Sequence, residues 1–279
     1  MSEWSYAHAG QIPRPNRKLW LNVSNRQLHI PIEAYCSSME RLREFWQLAP
    51  HMMEVTAANL LAQHEFIFEA GKTYQVPPTE EEFNKLMVEE ITKRVAKKYK
   101  QTGSLREATG YDIERGIKAF DGFLRHTTSL DGAVRAILES QITLSWTAFE
   151  ALAEDLWNAA LACHPGSATQ KPHFRRLQSI RESYESLSPT SNEINAVLAN
   201  PDLRKLNLVR NVLIHKAGIV DQQFLDGAGE IGWNSGNNLG QLIRIDGARV
   251  KELVSPLVQS SERLIRSVDK WITAKRQNH

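Results

Sequence analysis

Apolar residues recur at three- and four-residue steps through most of the chain, while runs of strict alternation are short. That period predicts an all-α protein, because it gathers the apolar side chains on one face of each helix. From Ile32, the positions Met39, Leu42, Phe45 and Trp46 mark a helix that Pro50 interrupts. A second helix extends to about Ala70, and Gly71 with Pro77-Pro78 ends it. Thr79 and Glu82 then form a capping box for a helix bearing Phe83, Leu86, Met87 and Ile91. Residues 111–124 read as a short helix with Ile113, Ile117 and Phe120 on one side.

The longest helical pattern covers residues 131–163, free of Pro and, after Gly132, of Gly. Val134, Ile137, Leu138, Ile142, Leu144, Phe149, Leu152, Leu156 and Leu161 supply its apolar stripe, with Trp146 and Trp157 among them, and Pro165-Gly166 closes it. Residues 174–187 give another helix. Asn200-Pro201-Asp202 opens a third, with an Asn cap and Pro in the first helical position, running to Ala217 before Gly218, the residue type best suited to a left-handed end. Residues 221–240, rich in Gly and Asn, read as a loop. Asp246 caps a last helix to about Lys275, whose buried face is Val250, Leu253, Val254, Leu257, Leu264, Ile265, Val268 and Ile272, with Pro256 near its first turns. Two minor β-hairpins are expected beside the helices, one from residues 19–23 and 28–32 and one at residues 242–245. The helices divide into a helical N-terminal part, residues 1–125, and a bundle, residues 126–279.

Composition narrows the class. With 279 residues, 42% hydrophobic and 24% charged, the chain has the make-up of a globular protein large enough to bury a core without disulfides or a structural metal. Cys36 and Cys163 belong to no CxxC pair and no Cys/His cluster, which argues against a zinc finger and a secreted disulfide framework. No export signal opens the chain and no stretch reaches the roughly 18 apolar residues of a membrane span, so a cytoplasmic protein without membrane contact is expected. The net charge of +2 is not concentrated in either half, so any contact with nucleic acid is expected to be local. The basic run from Lys93 to Lys100 reads first as the solvated end of a helix, where cations offset the C-terminal dipole, and second as a phosphate-binding patch.

No HExxH, Walker loop or GxSxG is present. Gly227-Ala228-Gly229-Glu230-Ile231-Gly232 fits GxGxxG by letter, but with no preceding long strand and no βαβ unit it does not make a dinucleotide site. The segment with chemical potential is Arg210-Asn211-Val212-Leu213-Ile214-His215, near the end of a helix. Composition alone would produce an Arg followed by a His after four to six intervening residues about twice, so the weight lies in context. Asn211 and His215, four residues apart, share a helix face, where the amide could orient the imidazole. Arg210 lies about 100° around from Asn211. His215 stands in the last turn, where the dipole favours a cation, and Lys216 follows it. The plainer alternative makes His215 a surface residue capping its own helix and pairs Arg210 with a neighbouring Glu. Glu150, on a largely apolar helix, is either that buried partner or a solvent-facing residue. His64 and His173 have nothing at ligand spacing and read as surface or packing residues.

Arg210-Asn211-x-x-x-His215 at the end of a helix in an all-α bundle resembles the R-N-x-x-x-H signature of the HEPN family, the higher eukaryotes and prokaryotes nucleotide-binding domains. Residues 142–150 are similar in character to that family's first helix, and residues 215–221 with the loop leading to a long terminal helix match its layout. The resemblance covers residues 126–279 and leaves 1–125 unexplained. It implies a metal-independent endoribonuclease with no cofactor, acting as a homodimer with the active site at the dimer interface, of the kind found in toxin–antitoxin and antiphage defence systems, where an antitoxin or defence partner restrains it. Carried over, Arg210 stabilises the phosphorane, Asn211 orients His215, His215 acts as acid or base, and Lys216 beside it binds substrate. The products would be 2′,3′-cyclic phosphate and 5′-hydroxyl ends. Some members carry a Tyr two positions after the His as a modification site, whereas this chain has Ala217. Members that keep the fold and the dimer without activity supply the alternative, a nucleotide-, RNA- or protein-binding module.

Overall fold

A computed structural model describes residues 12–45, 131–164, 173–187 and 192–277. The helices expected before Ala70, after Thr79 and at residues 111–124 lie, beyond residue 45, outside the described residues, as do the basic run at residues 93–100 and Pro165-Gly166. Residues 12–45 and the described residues from 131 to 277 belong to one compact unit. Its helices are α1 (residues 29–45), α2 (Asp131–Cys163), α3 (Leu177–Leu187), α4 (Asn192–Leu198), α5 (Pro201–His215), α6 (Gln222–Glu230) and α7 (Gly247–Gln277), preceded by 3-10 turns at Arg17–Asn22 and Arg26–Leu28. Among the described residues the fold is all-α.

The two long helices α2 and α7 pack on each other and carry the rest: α5 lies on both, α4 on α7, α3 on α2, and α6 on α5. All eight residues expected on the inner face of α7 are buried, each contributing roughly 2 kcal/mol by leaving water. The stripe of α2 is buried at Val134, Leu138, Ile142, Phe149, Leu152 and Leu156, whereas Leu144 is exposed. Trp146 and Phe149 are fully buried between the helices, and Trp157 donates from Nε1 to the Ser183 carbonyl of α3 at 3.1 Å.

Neither hairpin forms. Residues 17–22 and 26–28 are 3-10 turns and α1 follows at once, because Leu28, Ile32, Tyr35, Cys36 and Met39 all turn toward the core at helical spacing. At residues 242–245 Ile243 and Ile245 are buried singly, and the pairing is limited to one antiparallel bridge between Ile219 and Leu242. The stretch 221–240, expected as a loop, contains α6. Asp221 caps it by accepting from the Phe224 N–H at 2.9 Å, and Gly227, usually a helix breaker, packs closely on α5: a Cβ there would lie 2.7 Å from Leu208 Cδ2, so that side chain would have to shift.

The boundary expected near residue 125 does not separate residues 12–45 from the bundle. Buried Asp269 of α7 accepts from the backbone N–H groups of Ser24 (3.0 Å) and Asn25 (2.9 Å) and from Asn25 Nδ2 (2.7 Å). Glu262 accepts from the Asn16 N–H, and Gln27 Oε1 accepts from Cys163 and Arg276. A buried carboxylate without donors is costly, so Asp269 and its partners stabilise each other.

Candidate functional site at the end of α5

Helix α5 is defined at both ends by the residues that mark it in the sequence. Asn200 Oδ1 accepts from the Asp202 N–H at 3.0 Å, Pro201 occupies the first turn, and Asn200 Nδ2 donates to Ser260 of α7 at 3.1 Å, so the cap also anchors the helix. Leu203, Leu206, Val209 and Val212 are buried, which sets the rotation of the helix and aims the next positions. At the C-terminus the N–H groups of Lys216 and Gly218 both donate to the Val212 carbonyl, and two successive residues, Ala217 (φ 50°) and Gly218 (φ 80°), take the left-handed conformation. The chain is then pinned: Gly218 and Val220 accept from Ile243 and Gly240, and Val220 donates to Gln241.

The rotation turns Arg210 inward, toward α2. Its side chain is 14% exposed; Nη2 stands 3.7 Å from Glu150 Oε1, and Nη1 donates to Asn211 Oδ1 at 3.1 Å. Glu150 is therefore the buried partner rather than a solvent-facing residue, at 17% exposure. Its firmest bond comes from its own helix, Trp146 Nε1 donating to Oε1 at 2.6 Å. Burial raises the Glu150 pKa above its ordinary value, while the Trp146 hydrogen bond and the charges of Arg210 and Arg175 pull against that rise. Arg210 Nε and, one turn earlier, Asn207 Oδ1 are buried with no hydrogen-bond partner among the described residues.

His215 is exposed in the last turn and Lys216 is half exposed, with its ammonium 3.4 Å from Asp221 Oδ2. The contact expected from Asn211 to His215 is not formed among the described residues: the Asn211 amide oxygen is turned toward Arg210 instead. The physical reason is position. Asn211 flanks the inward-facing Arg210, whose guanidinium offers its amide oxygen a charge-assisted donor. Five residues apart, Arg210 and His215 point about 140° away from each other around the axis, so one copy of the helix does not bring them together. Beneath this end Arg135 of α2, paired with Glu139, backs the turn so closely that a Cβ on Gly218 would lie 2.6 Å from its Nη2.

Two contributors escape the sequence reading. Trp146, taken as core, is core and also donor to Glu150; its position four residues earlier on the same helix was the available signal. Arg175, just before α3, acts on Glu150 only through the tertiary fold. The GxGxxG letters fall in and after α6, where Gly227 serves helix packing. Among the described residues no group of three or more His, Cys, Asp or Glu is placed to hold a metal ion, and no helix is long and apolar enough to cross a membrane. Compared with known proteins, the chain finds no matching family model, no matching curated protein and no matching solved structure.

Proposed function

We propose that this chain is an endoribonuclease of HEPN type, acting as a homodimer without a metal cofactor and serving as a toxin or antiphage effector. The observation that carries the reading is the placing of Arg210, Asn211, His215 and Lys216 on one helix end, with a largely desolvated guanidinium at one side and an exposed imidazole at the other. These are the groups that in-line attack by a ribose 2′-hydroxyl requires. An imidazole takes the 2′-hydroxyl proton or gives one to the departing 5′-oxygen, and an arginine stabilises the charge that gathers on the phosphorane. The 2′-oxygen–phosphorus bond forms, the phosphorus–5′-oxygen bond breaks, and a cyclic phosphate and a 5′-hydroxyl remain.

The divergence of Arg210 and His215 favours a site completed by a second copy. Ile214, Ile219 and Leu242, 47%, 41% and 45% exposed, with Ile219 and Leu242 paired across one bridge, give the segment at and after the end of α5 apolar surface of the kind that closes against another chain. The test is incubation of RNA with the purified chain in EDTA, followed by mapping of 3′ ends. Cyclic-phosphate ends are expected from the wild type, with losses of at least about a hundredfold in Arg210→Ala and in His215→Ala; full cleavage by either variant overturns the assignment. One observation favours a second reading, a catalytically silent binding and dimerisation module: Asn211 and Glu150 both engage Arg210, and neither engages His215. That reading takes over where wild type and His215→Ala leave RNA equally intact.

A further inference from the structure

Glu150 faces the same guanidinium that the proposed reaction needs for phosphate. The two side chains are held independently: Glu150 by Trp146 at 2.6 Å, Arg210 by Asn211 at 3.1 Å. Between them the gap is 3.7 Å, close enough for charge attraction and too long for a hydrogen bond. Of the five N–H donors a guanidinium offers, Arg210 spends one on Asn211, and its Nε is buried with no partner among the described residues. Asn207 Oδ1, also buried and unpartnered, lies on the same side of α5 one turn earlier.

We propose that Glu150 is an internal counter-anion that occupies Arg210 in the free chain and that an RNA phosphate must displace to engage the site. This rests on the ribonuclease reading above and adds to it a restraint. A neutralised Arg210 holds passing phosphates weakly, and because Nη2 and Glu150 Oε1 stand 3.7 Å apart with no hydrogen bond between them, phosphate has only a charge contact to displace. Burial, which already disfavours the ionised carboxylate, makes Glu150 the easier partner to give up.

The test uses the full chain with His215→Ala, so that RNA is bound and not cut, and reads binding of a fluorescein-labelled single-stranded RNA of mixed sequence by anisotropy. Glu150→Gln keeps the shape and the acceptor for Trp146 while removing the charge, and is expected to tighten binding about tenfold. Adding Arg210→Ala should erase that gain, and a thermal melt of each variant checks that it is folded. Unchanged or weaker binding in folded Glu150→Gln, with Arg210→Ala still weakening it, overturns the counter-anion and leaves the ribonuclease reading standing. If Arg210→Ala alone leaves affinity unchanged, Arg210 is no phosphate contact and both fail together.

Discussion

At Glu150 three neighbours compete over one proton: burial favours the neutral acid, and Trp146 and two arginines favour the carboxylate, with burial the larger effect. The folded chain therefore holds this proton more tightly than the unfolded chain does. Folding stability from this group is fully present below its ordinary pKa of 4.5 and is lost as pH rises through the raised value. Urea midpoints measured from about pH 4 to about pH 7 should accordingly fall more steeply for wild type than for Glu150→Gln. Parallel profiles would show that burial does not govern this carboxyl. The same residue illustrates how a helix reads its own sequence: Trp146 and Glu150 meet because they are one turn apart, whereas Arg210 meets Glu150 only because the buried row Leu203, Leu206, Val209 and Val212 fixes the rotation of α5.

Helix α5 ends in two left-handed residues in succession, Ala217 and Gly218. Gly218 at φ 80° allows the chain to leave the helix over Arg135 and then to bond to residues 240–243. Gly218→Ala should cost at least about 1 kcal/mol, since the new Cβ adds backbone strain and displaces the Arg135 guanidinium; chemical denaturation reads the loss. A neutral result would mean that the turn is held loosely. The caps of α5 and α7 were legible because Asn200 and Asp246 act on N–H groups two or three residues away. Helix α6 itself was not legible. Its glycines argue against a helix locally, and the close approach of Gly227 to Leu208 involves another element.

For the molecule as a whole, residues 12–45 and α7 depend on each other through Asp269. Asp269→Ala would orphan two backbone N–H groups, while the Asn25 amide keeps the Asp269 carbonyl and Thr273 Oγ1, and should lower stability by about 2–4 kcal/mol, seen as a clear drop in the thermal midpoint. A loss below about 1 kcal/mol would mean that the early segment is held by apolar contacts alone. Helical periodicity, caps and the composition of the α5 end act within a few residues, so helices α1, α2, α3, α5 and α7, their order, and the gathering of Arg210, Asn211, His215 and Lys216 at one helix end could be read from local sequence. Three features could not: the return of residues 12–45 to α7, the turning of Asn211 toward Arg210 and away from His215, and the choice, between two readings, of Glu150 as the buried partner of Arg210, with Arg175 acting on it as well. Each joins groups whose encounter depends on the rotation and packing of neighbouring helices, and periodicity along one segment carries no information about the face a distant segment presents to it.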